Sequence, residues 1–442
     1  MDKTMRIQET AETLGISVQA VHKRLQSGSL DGAKVNGAWH VSENSVAAAV
    51  LEPPKKGRPW HGRSYVLMNG PYPIMEFTYH AQTESFKPGE VSDAARAPLG
   101  TVTRTGRAKA DGLRTWWEHR SIPGSRAGMD EKLRQLGLQD PSQIPFRNLG
   151  LSLSDQYWIC PEGEQLRWED VNYFQNDFGA SVEDWDEWLA EVGLSSPDNT
   201  SEGVLPKRWI CRGNERVLLK GHVPWTDQQA YNEAVASALH KRLLNEDEYV
   251  PYEVFSMEEL GVVSACPCFL TADEEYVPIS LVVEAERRRQ GETPYDTVMR
   301  ACTNLGIRPQ AAKRALSQMI LCDSILANTD RHLRNFGLIR NIHDLTWHFA
   351  PLFDTGNSLW YDKDEGAVAR GDYAFSSRPF NDIPNRQLMY AEDISWFNPR
   401  ALDGFPEEAC DILSEGNLAR WRLDYLREGI ERRIGAVQEL LG

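Results

Sequence analysis

The stretch from Ala327 to Gly356 constrains this 442-residue chain more than any other: A-N-T-D-R-H-L-R-N-F-G-L-I-R-N-I-H-D-L-T-W-H-F-A-P-L-F-D-T-G. Asp330 and Asn335 share one short loop in the spacing D-x-x-x-x-N. Two apolar runs follow, Phe336–Ile339 and Leu345–Ala350, on either side of the turn-like Asn341–Asp344. Alternating side chains about Asn-x-His-Asp predict a β-hairpin. Such a hairpin folds Asp354 back beside Asn335.

Oxygen donors in this order suit phosphoryl transfer, in which the moving group needs positioning and charge neutralisation more than covalent chemistry. One carboxylate orients the attacking hydroxyl, while an amide oxygen and a second carboxylate hold Mg²⁺ as hard oxygen ligands. Asp330, Asn335 and Asp354 fit those roles in that order. Phe353-Asp354-Thr355-Gly356 has the shape of a metal-binding D-F-G segment with Thr in the middle position. A lone D-x-x-x-x-N is common, and loop Asp and Asn ordinarily cap turns. The ordered set is what points to chemistry.

Upstream, the pattern from about residue 196 runs β then α. Trp209–Arg212 and Arg216–Lys220 read as strands around Gly213-Asn214, and Lys220 closes the second. A helix from Asp227 to Leu244 turns Ala230, Ala234, Val235, Ala238 and Leu239 inward and carries Glu233. A strand Lys paired with a helix Glu is the arrangement that holds ATP phosphates. Val262–Cys268 reads as a strand running into a connector at Phe269-Leu270, where backbone would face adenine. A helix from Pro309 to Ala327, opened by Pro, leads into the Asp330 loop, and Glu407–Leu441 reads as helical.

The front of the chain has a different character. Residues 5–26 read as two short helices about a turn, with Ile7, Ala11 and Leu14 on one apolar face and Ser17 capping the second helix. Val18 to Gln26 then places Val21 and Leu25 inward and Gln19, His22, Lys23 and Arg24 outward, the spacing of a helix that enters a major groove. Residues 33–41 give two strands around Asn36-Gly37, a strong hairpin signal. The resulting winged helix-turn-helix resembles the excisionase and MerR-type DNA-binding domains over residues 1–50. A basic Pro/Gly linker follows at 51–63; its Gly57-Arg58-Pro59 looks like an AT-hook core, though a solvated linker is the better reading.

Residues 64–195 are mixed and rich in aromatics, with strand-like alternation at Ser64–Met68, Ile74–Tyr79 and Gln156–Cys160. Trp116, Trp117, Trp168, Trp185 and Trp188 read as core and docking surface, and Glu183–Glu191 as a solvated helix. The length suggests two to four domains. The net charge of −16 is uneven: residues 1–63 hold nine Lys+Arg against six Asp+Glu, and the remainder 39 against 58. Only the front end therefore suits an anionic polymer. Seven scattered cysteines, among them the close pair Cys266-Pro-Cys268, lack the paired spacing of a disulfide framework or structural zinc site. No apolar run approaches a membrane span, and a cytoplasmic location is expected.

With these residues in hand, the chain resembles the HipA-type serine/threonine kinases of bacterial toxin–antitoxin systems over residues 196–442, the middle region belonging to the same architecture. The resemblance implies an α+β, two-lobed protein-kinase-like fold, here with the winged unit fused in front. It also implies ATP and Mg²⁺ as cofactors and a protein hydroxyl as substrate. Asp330 then looks like the catalytic base, Asn335 and Asp354 like metal ligands, and Lys220 like the phosphate-binding lysine. Phe269 and Leu270 look like the adenine site. The phosphate loop resembles T-S-E-G-V-L-P-K at 200–207, where Gly203 and Lys207 cradle phosphate and Thr200 or Ser201 stands for autophosphorylation. The family acts beside a separate antitoxin partner, whereas this chain carries its own candidate for binding double-stranded DNA, which as a homodimer would read two half-sites. A small-molecule phosphotransferase and a DNA-binding regulator that only senses nucleotide are the other readings. A lipid substrate ranks low for want of a basic membrane-facing cluster.

Overall fold

In a computed structural model the chain divides into two compact units, Met1–Ser64 with Thr78–Lys87, and Tyr65–Phe77 with Pro88–Gly442. The structure describes residues 4–13, 18–26, 28–35, 38–50, 63–80, 83–120, 145–178, 207–223, 226–257 and 261–441.

In the first unit β1 (Thr4–Arg6), α1 (Ile7–Thr13), α2 (Val18–Gln26), β2 (Gly32–Val35), β3 (Ala38–Ser42) and α3 (Glu43–Val50) follow one another. The helix pair and the hairpin are those the spacing predicts. β1 joins as a third, antiparallel strand in the order β1-β3-β2; three residues are too few to betray a period of two. Val21, Leu25 and Val41 are buried together with Ala11, Leu30 and Val46. Gly32 permits the tight approach to β3, since a Cβ there would stand 2.7 Å from the His40 carbonyl oxygen. His22 and Lys23 are exposed as expected, but Arg24 is half-buried. The turn after α2 folds back over it, with the Ser29 and Leu30 amides donating to its carbonyl at 2.8 and 3.2 Å. The Asn36-Gly37 turn, the 51–62 linker and the Gln19 side chain lie outside the described residues.

Next along the chain come β4 (Arg63–Asn69), β5 (Tyr72–His80), β6 (Ser85–Val91), α4 (Ala110–Glu118) and β7 (Tyr157–Pro161). Their sheet runs β6-β5-β4-β7. Trp117 and Trp168 are buried and Trp116 half-buried, whereas Trp185 and Trp188 lie outside the described residues. A second sheet, order β10-β11-β9-β8, follows from β8 (Lys207–Arg212), β9 (Glu215–Lys220), β10 (Glu253–Met257) and β11 (Gly261–Pro267). Between β9 and β10 runs α5 (Gln228–Leu243). The sequence expects only an Ala/Val/Leu stripe to face inward here. Instead Gln228, Gln229, Asn232 and Glu233 are buried too, and Ala234 and Ala238 are only half-buried. The reason is that α5 packs polar groups against segment 355–360 as well as apolar ones against the core.

A third sheet, order β12-β13-β14, comprises β12 (Glu274–Pro278), β13 (Gly337–Asn341) and β14 (Trp347–Phe349). β13 and β14 are the hairpin the sequence predicts, Leu338 facing Phe349. The helices α6 (Ile279–Glu286), α7 (Pro294–Asn304) and α8 (Pro309–Ile325) lie between β12 and β13. From Leu316 to Ile325 every residue of α8 is buried, so this helix forms the floor of the core and carries the Asp330 loop at its end. The C-terminal stretch divides into α9 (Phe405–Ser414) and α10 (Arg420–Leu441), broken where Asn417 takes φ 55°. All seven cysteines are free, and burial pushes the Cys266 thiol up to about 12. Among the described residues no helix is long and apolar enough to cross a membrane.

A buried ion pair joins β12 to β13 and, through Asn69 on β4, ties the first of these sheets to the third. Arg340 Nε donates to Glu275 Oε1 at 2.6 Å, and Asn69 Nδ2 to Glu275 Oε2 at 2.7 Å. Glu275 has no exposed surface and Arg340 is 3% exposed. Removing one partner of such a pair leaves an uncompensated buried charge. Arg340→Met should therefore cost about 3–5 kcal/mol in urea unfolding, and adding Glu275→Gln should recover part of that loss.

Candidate active site

The site forms where β9, α5, the loop after α8 and the segment after β14 converge. β9 ends at Lys220, whose side chain is 6% exposed. Glu233 projects from α5 toward it: Lys220 Nζ donates to Glu233 Oε1 at 2.5 Å and to Asp354 Oδ1 at 2.6 Å. The second oxygen of Glu233 accepts the Thr355 backbone N–H at 2.8 Å. Asp354 takes φ 59°, and its N–H donates to the Tyr252 hydroxyl at 3.3 Å. Gly356 lets this segment approach α5, because a Cβ there would meet the Gln229 carbonyl oxygen at 3.1 Å.

Lys207, first residue of β8, stands opposite Lys220 in the sheet register and acts electrostatically on Asp354. Gly203, Thr200 and Ser201 lie outside the described residues. Phe269 follows β11 and stacks on Phe353, ring centroids 5.4 Å apart; Leu270 beside it is buried. The connector is therefore packed directly against the residue preceding Asp354.

Asp330 and Asn335 occupy one loop, as their spacing requires. Asn335 Nδ2 donates to the Asp330 carbonyl at 2.9 Å, which turns the amide nitrogen into the loop. The Asp330 side chain is 36% exposed, enough to meet an acceptor from solvent, and its Oδ2 accepts from Asn357 Nδ2 at 2.8 Å. Sequence reasoning misses Asn357 and its neighbour Gln229, whose Nε2 donates to Asn357 Oδ1 at 2.6 Å.

It misses Arg331 as well. This guanidinium, 1% exposed, pairs with both oxygens of Asp323 at 2.8 and 3.1 Å. It also donates to the carbonyls of Asn335 and Phe353, each at 2.6 Å. The backbone of Asn335 and that of Phe353, the residue before Asp354, are thereby joined through one side chain. A signal for it existed, since Asp323 is a lone carboxylate within the apolar run from Met319 to Ile325.

Residues 274–399 match the HipA-like C-terminal domain. That span holds Asp330, Asn335 and Asp354 and leaves Lys220 and Glu233 outside it. The serine/threonine-protein kinase CtkA of Helicobacter pylori is 30% identical over 109 residues, 24% of this chain and 33% of that protein. The match thus spans about a third of the curated relative's length. Among solved structures, the Helicobacter pylori proinflammatory kinase CtkA aligns at 18% identity and TM-score 0.44, over 54% of this chain and 92% of that one. A chain of the Shewanella oneidensis MR-1 toxin–antitoxin complex of HipA, HipB and operator DNA aligns at 13% identity and TM-score 0.51, over 85% and 97%. The fold is accordingly mixed α/β and resembles that HipA structure.

Among the described residues no group of three or more His, Cys, Asp or Glu could hold a metal ion. Asp354 and the Asn335 amide oxygen suit a hard cation that brings its remaining ligands from phosphate and water, as Mg²⁺ does.

The charges of the site set a pH window. Burial would lower the Lys220 pKa, but the Asp354 and Glu233 carboxylates hold it well above the ordinary lysine value. Burial would raise Asp354, but Lys220, with Lys207 and Arg331 beside it, holds it well below the usual carboxylate range. A depressed carboxylate contributes stability that is complete above its unfolded value of ~3.9 and lost as pH falls toward the folded one. A raised ammonium contributes stability complete below ~10.4 and lost as pH rises through the folded value. The pair is at full strength between about pH 5 and pH 9. Wild-type unfolding free energy should therefore fall more steeply than that of Lys220→Met between about pH 5 and pH 2, measured by urea titrations on the two proteins.

Proposed function

We propose that this chain is an ATP- and Mg²⁺-dependent protein kinase of the HipA type, acting on a serine or threonine hydroxyl, whose front unit binds double-stranded DNA. The observation that carries the kinase reading is Lys220, held at once by Glu233 and Asp354, with Arg331 tying the Asp330 loop to the segment just before Asp354. In this reading Lys220 and Lys207 meet phosphate oxygens, while Phe269 and Leu270 bound the adenine. Asp330 orients the substrate hydroxyl and takes up its proton. Asn335 and Asp354 hold Mg²⁺, which when bound neutralises the charge that develops on the transferred group. The choice of a protein hydroxyl draws on the name of the CtkA relative, a serine/threonine-protein kinase.

Asp330→Ala should lower phosphoryl transfer by roughly 10²–10⁴-fold while keeping the wild-type melting profile, and Asp354→Ala should abolish it in a protein that still folds but melts lower, because Lys220 loses one of its two carboxylates. Label transfer from γ-labelled ATP into a cell lysate measures this. Wild-type rates from Asp330→Ala would refute the assignment. Tight nucleotide binding without turnover in the wild type would favour a nucleotide-sensing regulator.

The DNA reading rests on α1 and α2 followed by the β2–β3 hairpin, with His22 and Lys23 exposed on α2 and Lys34 exposed on β2. The Shewanella complex contains operator DNA, and here the front unit is the candidate for that contact. The outward face of α2 offers few cations, so one copy should bind weakly and tight binding should need a dimer reading two half-sites. Lys23→Ala with Arg24→Ala should weaken binding to upstream DNA at low salt and flatten its salt slope, measured by anisotropy across a salt series. An unchanged slope would make the front unit a protein-docking module.

A further inference from the structure

We infer that Asn357 is a positioning residue for Asp330, and that through Gln229 it makes the aim of that carboxylate depend on the seating of α5. The inference rests on the kinase reading above. Four residues form one hydrogen-bonded chain. The Val223 backbone N–H donates to Gln229 Oε1 at 3.0 Å. Gln229 Nε2 donates to Asn357 Oδ1 at 2.6 Å, and Asn357 Nδ2 donates to Asp330 Oδ2 at 2.8 Å. A backbone N–H only donates and a carboxylate only accepts. With both ends fixed, each amide between them has a single orientation, and the chain runs one way from Val223 to Asp330.

Asn357 is itself anchored to the loop it serves. Its carbonyl accepts the Thr329 N–H at 3.1 Å and the Thr329 hydroxyl at 3.0 Å. The bond to Asp330 therefore fixes Oδ2 while Oδ1 serves the substrate. A base acts only on a proton within hydrogen-bond reach, and a partly exposed aspartate without a fixed partner would sample several rotamers. His332 Nε2 is farther off, 4.0 Å from Oδ1, and Asn335 binds the Asp330 main chain rather than its carboxylate.

Gln229 and Glu233 stand four residues apart on α5, one above the other on the same face. Glu233 seats Lys220 and the Thr355 amide; Gln229 aims the base. One helix thus sets both halves of the reaction geometry, so a shift of α5 would disengage the base together with the phosphate-binding lysine.

The test uses the full chain, with ADP formation from MgATP as the readout so that any acceptor counts, water included. Asn357→Ala should lower kcat roughly ten- to a hundredfold with KM for ATP within about twofold, because the ATP contacts lie elsewhere. Two isosteric variants cover the case in which the alanine variant fails to fold. Asn357→Asp puts a second carboxylate against Oδ2, so the acid limb of the kcat profile should move up by about one pH unit or more. Gln229→Glu presents an acceptor to Asn357, whose amide then turns to donate to it and offers its oxygen to Asp330. The loss in kcat should match that of Asn357→Ala although Asn357 is intact. Fluorescent-nucleotide affinity should stay at the wild-type value throughout. Isosteric variants with wild-type kcat and an unmoved acid limb would overturn the inference while leaving the kinase reading in place. A wild-type protein that forms no ADP would overturn the kinase reading and this inference with it.

Discussion

Glu233 is a carboxylate with 2% exposure on a helix packed into the core, and burying such a charge is costly unless its oxygens are engaged. Both are. One holds Lys220 and the other holds the Thr355 amide, so the groups that stabilise Glu233 are the ones that carry the site. Lys220 in turn reaches Asp354. The arrangement is mutual: strand, helix and the Asp354 segment each need the other two to keep their charges paired. A fold with any one displaced would bury an unpaired ion, which is why the set acts as a unit.

The same logic explains why the first two turns of α5 are so polar and yet so buried. Gln228 donates to the Leu359 carbonyl at 2.9 Å, and Asn232 to the carbonyls of Gly356 and Ser358 at 2.9 and 2.8 Å. Segment 355–360 is irregular backbone inside the protein, and its carbonyls have no ladder partners. The amides of α5 supply those partners and so fix the course of the chain just after Asp354. Gly356 completes the fit by omitting a side chain where the helix backbone comes closest.

How far the chain could be read from its sequence follows from the same contacts. That Lys220, Glu233 and Asp354 meet, and that Asp330 and Asn335 share one loop, was legible from their order and spacing. Asn357 and Gln229 were not: each is an ordinary amide until a partner more than a hundred residues away is placed beside it. The β13–β14 hairpin announced itself by alternation around a turn. β12 did not, because its inward positions are Glu275 and Val277, and a carboxylate at an inward position erases the period that marks a strand. What rescues Glu275 is Arg340, directly opposite in the register of β13, a pairing that no local pattern contains. The front unit was the easier case, since its helices and hairpin are built from contacts close in sequence, whereas β1 escaped notice for its brevity.

Arg331 shows how the Asp330 loop keeps its shape. The loop leaves α8 through Ala327 at φ 50° and must present the Asp330 carboxyl outward while its backbone stays inside. Arg331 points the other way, into the protein, where Asp323 neutralises it and the carbonyls of Asn335 and Phe353 and the Thr355 hydroxyl take its remaining donors. Its planar fork suits this better than an ammonium would, because several acceptors must be met from fixed directions. Its counter-charge comes from α8, within the same fold. The order of the loop and of the segment before Asp354 is therefore supplied internally: the guanidinium that joins them already has its anion, and an added phosphate group would find that position filled. What is left to vary is the seating of α5, where the Lys220 and Asp330 ends of the site meet.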